Sequence, residues 1–128
     1  MRNIKSFKLF EDFDNEEEYI VSSIRGILIE LEDEGMEVEI EYHSIQGVTI
    51  EIKGNPVDSY PYVMHKEFEV SSIRDYIDTV IDFIEYTWSN YILYFEKYDV
   101  DDSCIYDGEV LQDGPVGSLV IQIYKKKL

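Results

Sequence analysis

At 128 residues, with 45% hydrophobic and 14% aromatic content, the chain is too apolar to stay disordered and long enough to bury a core as one domain. Its formal charge of −17, from 28 acids against 11 basic residues, argues against direct binding to nucleic-acid phosphates or anionic membranes, which carry the same sign. One cysteine, Cys104, leaves no partner for an intrachain disulfide.

A reducing, cytoplasmic setting is expected, because the opening MRNIKSFKLFEDF lacks the continuous apolar stretch of a secretory signal and no run spans a bilayer. Residues 1–13 alternate basic and apolar side chains (Ile4, Lys5, Phe7, Lys8, Leu9, Phe10) before Glu11 and Asp12. The stretch IKSFKLFEDF resembles the short N-terminal segment shared by many proteins of large tailed bacteriophages. The resemblance implies a phage origin and, through the triplet Leu9-Phe10-Glu11, a capsid-targeting leader cut by a prohead protease. Taken as residues alone, the stretch is an amphipathic turn packing Phe7 and Phe10 onto the domain. The expected organisation is an N-terminal segment, 1–13, that is leader or turn, and one domain over 14–128.

A first helix follows. Asn15 is its cap, Glu16, Glu17 and Glu18 suit the positive end of the dipole, and Glu18 completes a capping box. Ile20, Ile24, Ile27, Leu28 and Leu31 form its buried stripe, Gly35 ends it, and Gly26 suggests a close crossing with another helix. Met36–Tyr42 alternates Met36, Val38, Ile40 and Tyr42 against Glu37, Glu39 and Glu41, and Val48, Ile50 and Ile52 alternate against Thr49, Glu51 and Lys53. This predicts an antiparallel hairpin with one wet face. Gly54–Pro56 and Asp58–Pro61 read as turns, and Tyr62–Glu69 as a third strand.

The longest amphipathic pattern runs over Val70–Tyr98, with Ile73, Ile77, Val80, Ile81, Ile84, Trp88, Tyr91 and Phe95 at three-four spacing. It predicts a second helix, capped by Ser71 or Ser72, that continues to about Lys97. The pentapeptide VSSIR at 21–25 and 70–74 supports an alternative, a duplicated helix–hairpin unit in which Tyr91–Tyr98 is a strand. Asp99–Ser103 reads as loop, and Gly117–Lys125, apolar on both faces, as a strand inside the sheet; the terminal lysines read as frayed. The fold class expected is α+β, order α-β-β-(β)-α-β-β, with an antiparallel sheet of four to five strands and two helices on one face.

Chemistry-bearing patterns are few. Asp99, Asp101, Ser103 and Asp107 occupy calcium-loop positions, but Cys104 replaces the glycine of position six and Val110 the bidentate glutamate of position twelve. His43 and His65 have no paired spacing, no serine sits in a nucleophile turn, and no glycine-rich phosphate loop exists. No catalytic residue, metal or cofactor is therefore assigned. Tyr86, Tyr91, Tyr94 and Tyr98, with Trp88, cluster after residue 85, and the glutamates of 37–41 recur about 6.6–6.8 Å apart along their strand. Glu37, Glu39, Glu41, Glu51, Tyr94 and Tyr98 are the candidate partner-binding residues. The expected function is a non-enzymatic phage accessory protein that inhibits a basic host protein, as an anti-defence factor or nucleic-acid mimic, in the host cytoplasm. A virion or prohead component with a cleavable leader, and an enzyme of unrecognised type, are the alternatives. The oligomeric state stays open, a homo-oligomer included.

Overall fold

The computed structural model describes residues 15–44, 46–59 and 62–126, so the N-terminal leader-or-turn segment lies outside the described residues. Helix α1 (Glu16–Ile27) starts where Asn15, in extended backbone, accepts the amide of Glu18 at 2.8 Å, with three glutamates in the first turn. The chain continues through Leu28 into a short α2 (Ile29–Asp33), and Gly35, at φ +99°, turns it out of the helix. The close crossing expected at Gly26 is absent: a Cβ there would meet nothing within 4 Å.

Strands β1 (Glu37–His43) and β2 (Gly47–Lys53) form the predicted antiparallel hairpin. The following segment differs from the expected turns and single strand. Strand β3 (Pro56–Ser59) pairs with β4 (Tyr62–His65), and β5 (Phe68–Glu69) pairs with β8 (Pro115–Val116). Helix α3 (Val70–Thr87) has no serine cap; Glu69 holds the N-cap position and the Ser72 hydroxyl donates to the Glu69 carbonyl at 2.6 Å.

That helix stops ten residues before the predicted end near Lys97. Trp88 takes extended backbone, and β6 (Tyr91–Tyr98) becomes a strand paired with β9 (Ser118–Lys125) and β7 (Cys104–Gly108). The reason is arithmetic: a four-residue spacing, as from Tyr91 to Phe95, fits a helix face and also a strand of period two. Leu93, out of phase for a helix, is in phase for the strand. Pairing along both edges then outweighs local periodicity. VSSIR opens α3 but lies inside α1, so the repeat occupies different places in the two helices.

The main sheet is antiparallel, in the order β1-β2-β9-β6-β7. α1 and α3 bury Tyr19, Ile20, Ile24, Ile73, Ile77, Val80, Phe83 and Ile84 against one face, which carries Val38, Val48, Ile50, Ile52, Phe95, Leu119, Ile121 and Ile123. The architecture is α+β with its helices on one side. Lys97 points into this face as well and is 6% exposed. Its ammonium donates to the Asp113 carbonyl at 3.0 Å and lies 5.8 Å from the centre of the Tyr106 ring.

One carboxylate closes the layer. Glu16 accepts hydrogen bonds from the Trp88 indole at 2.8 Å, the Tyr42 hydroxyl at 3.0 Å and the Lys125 ammonium at 3.2 Å. Lys125, read from the sequence as frayed, also lies 5.2 Å above the Trp88 ring. Burial alone would raise the Glu16 pKa; the three donors and the lysine charge outweigh it and hold it below the ordinary 4.5. Burial and the same carboxylate push the Tyr42 phenol up to about 12.

Glu16→Ala strands an indole N–H, a phenol and an ammonium, and is expected to lower the unfolding free energy by about 3 kcal/mol in urea titrations at pH 7. The folded pKa is depressed, so the Glu16 contribution is complete above 4.5 and fades as pH falls through the folded value. The gap between wild type and variant should close in acid. A gap independent of pH would remove the carboxylate from this role.

Candidate functional site

No helix covers the other face of the main sheet among the described residues, and side-chain alternation decides what it carries. The central register line reads Glu39, Glu51, Val120, Glu96, Asp107 from β1 to β7. On one side of it runs Glu41, Thr49, Gln122, Tyr94; on the other, Glu37, Lys53, Ser118, Tyr98, Cys104. His43, Gly47, Tyr124 and Ile92 form the line at the far end. The six candidate residues, Glu37, Glu39, Glu41, Glu51, Tyr94 and Tyr98, therefore share one face. Tyr94 and Tyr98 reach it as strand residues, not as part of the helix expected from their spacing. The tyrosine cluster itself divides, with Tyr86 on α3, Trp88 and Tyr91 toward the helix layer, and Tyr94 and Tyr98 outside.

Glu96, Asp107, Gln122 and Tyr124 were not among the sequence candidates. Only knowledge of strand order, which local pattern does not contain, places β6 and β7 in the sheet of the hairpin, on the far side of β9. The face is hydrogen-bonded: Gln122 of β9 donates to Glu96 of β6 at 3.0 Å, and within β9 the Tyr124 hydroxyl donates to Gln122. Partial burial, then the bond to Asp107, raises the Tyr94 pKa, and burial with the charge of Glu96 raises that of Tyr98. Both phenols stay protonated donors at neutral pH.

Charge on this face is one-sided. Its acids are Glu37, Glu39, Glu41, Glu51, Glu96 and Asp107, and its lysine is Lys53, 3.9 Å from Glu51. Glu37 meets His65 of β4 at 2.8 Å and Glu41 lies 3.9 Å from His43. Glu39 has no cation at ion-pair distance among the described residues. Two like-charged pairs, Glu39 with Glu51 and Glu96 with Asp107, stand directly opposite each other across neighbouring strands. Such pairs destabilise a sheet by roughly 0.2–1 kcal/mol each. A concavity of about 470 Å³ is lined by Glu39, Glu41, Thr49, Glu51 and Val120, together with Arg25, Val38 and Ile40.

At the lower end lies a notch of about 10 Å³, bounded by Lys53, His65, Asp99, Val100, Asp102, Gly117 and Ser118, with room for about one water. The calcium-like loop is organised by its own backbone. Asp99 Oδ1 accepts the amides of Asp101 and Ser103 at 2.9 and 3.0 Å, and Asp107 lies on β7. Among the described residues, no three His, Cys, Asp or Glu side chains come together to hold a metal ion. No helix there is long and apolar enough to cross a membrane. Comparison with protein-family models, curated protein sequences and solved structures gives no match.

If opposed carboxylates are a real cost, Glu39→Lys should stabilise the chain by about 0.5 kcal/mol. The gain should shrink between low and high salt, as screened charges require. Urea unfolding at two ionic strengths checks both, and a destabilised variant would contradict the cost.

Proposed function

We propose that the chain is a small, non-enzymatic binding protein of phage type that occupies and inhibits a basic host protein through the outer face of its sheet. What supports the reading is the pair of opposed carboxylate couples on one surface that no helix covers among the described residues, bordered by tyrosines. A surface shaped for stability alone would alternate signs. This one keeps a shared sign that lowers stability and raises the field seen by an approaching cationic partner. Tyr94, Tyr98 and Tyr124 add contact area and hydroxyl donors at small entropic cost.

The line from Glu39 to Asp107 crosses four strand intervals, about 19 Å, with acids at both ends and an apolar centre. Proteins that bind phosphate backbones carry cationic surfaces of that kind of reach, so a host nucleic-acid-binding or defence protein is the class of target. The segment IKSFKLFEDF, similar to phage N-terminal segments, supports the origin of the chain rather than its mode of action.

The test is capture of host proteins on the immobilised full chain, with identification of what is retained and release by salt. Glu39→Lys/Glu51→Lys/Glu96→Lys should weaken capture of the same protein by at least about tenfold, or 1.4 kcal/mol. Asp33→Lys/Asp75→Lys, on the helix side, should leave it unchanged. A retained protein that ignores both salt and the triple substitution would refute the proposal.

A further inference from the structure

The main sheet is open, and its two edge strands differ. β7 is five residues long, and its register against β6 shifts between Lys97 and Tyr98, the kind of irregularity that guards an edge against further pairing. β1 is seven residues long, EVEIEYH, with neither proline nor lysine, and its register with β2 runs unbroken from Glu37 to His43. Among the described residues no strand lies on its other side, so about half of its backbone N–H and C=O groups point away from the sheet. The concavity of about 470 Å³ follows this edge. It touches Glu39, Glu41 and Glu51 of the outer face, Val38 and Ile40 of the inner face, and Arg25 of α1. The helix layer and the outer face border one space only around the rim of the sheet. Ile40 marks the opening: its register partners Ile50, Ile121 and Phe95 are buried, whereas Ile40 is half-buried.

We propose that β1 takes up an extended segment of a basic partner as a sixth strand, with cations at two alternate positions over Glu39 and Glu41 and an apolar side chain between them beside Ile40. The proposal rests on the reading of the outer face as a docking surface for a basic protein and names the mode of attachment. Open backbone groups and the concavity choose the site; charge chooses the occupant. Side chains of an added strand stand directly opposite those of β1, face by face. Glu37 already meets His65 at 2.8 Å, which leaves Glu39 and Glu41, about 6.6–6.8 Å apart, as the anchors. A second copy of the chain fits poorly. Antiparallel pairing of β1 with itself about Ile40 sets Glu39 opposite Glu41 twice, and pairing about Glu39 sets that residue opposite its own copy. Strand addition draws affinity from main-chain hydrogen bonds and specificity from alternate side chains, and both are on offer at this edge.

The probe is a blocked heptapeptide alternating lysine with valine, added to the full chain at physiological ionic strength and read by amide hydrogen exchange in NMR. In the chain alone, the amides of β1 that point away from β2 should exchange fast, and the peptide should slow them at least about tenfold. The same peptide N-methylated at every residue keeps its charge and side chains, loses its backbone N–H donors, and should leave those amides fast. Glu39→Lys/Glu41→Lys should weaken peptide binding at least about tenfold, whereas Asp75→Lys/Asp78→Lys, on α3, should leave it as in the wild type. Outward amides already slow in the chain alone would overturn the proposal. So would protection by the methylated peptide, or peptide binding that leaves exchange in β1 unchanged. Loss of strand pairing beside salt-sensitive capture of a host protein would remove the strand mode and keep the reading of the acidic face; pairing without capture would do the reverse.

Discussion

Strand parity is the constraint from which the rest follows. In each register line the residues of β1, β2, β9, β6 and β7 share one side, so a single choice fixes the burial of all five strands. The line Ile40, Ile50, Ile121, Phe95 faces the helices, and the adjacent line Glu39, Glu51, Glu96, Asp107 therefore faces out. A slip of one residue in β1, β2, β6 or β7 would drive carboxylates into the layer beneath α1 and α3, and a slip in β9 would turn Gln122 inward. Register is thus specified by the same residues that give the outer face its charge, and core and candidate site cannot vary independently.

Parity sets the faces but does not hold the helices at the ends of the sheet. Glu16 does that by gathering β1, β9 and the C-terminus of α3 on the first turn of α1. Its partners lie 26, 72 and 109 residues away in sequence, so the contact closes the fold only after every element is in place. At the opposite edge, Lys97 performs a related task with its ammonium on the Asp113 carbonyl, while Arg74 pairs with the Asp113 carboxylate at 2.6 Å. A charged residue on the inner face is tolerated there because a loop, not an aliphatic helix stripe, covers it.

Legibility in the sequence followed the reach of each signal. The β1–β2 hairpin, the cap at Asn15 and the inward set of β9 rest on local alternation or local hydrogen bonds, and they stand where the residues place them. The end of α3 did not, since Tyr91 and Phe95 satisfy two periods at once and only pairing with β9 decides between them. Strand β3, with Pro56 at its start, was hidden by turn-forming residues. At the candidate site, Glu37, Glu39, Glu41 and Glu51 were visible in one hairpin. Glu96 and Asp107 were not, because no local pattern states that β9 lies between β2 and β6.

Register needs polar residues on the outer face but not like charges directly opposite each other, and the couples Glu39–Glu51 and Glu96–Asp107 are the basis for proposing a partner there. Tyrosine modification read by mass spectrometry tests that proposal most directly, since Tyr94, Tyr98 and Tyr124 lie on the face and Tyr86, 41% exposed, lies on α3. In complex with a protein captured through the proposed surface, Tyr94, Tyr98 and Tyr124 should become protected while Tyr86 reacts as in the free chain. Protection of Tyr86, with the outer tyrosines as reactive as before, would contradict the account.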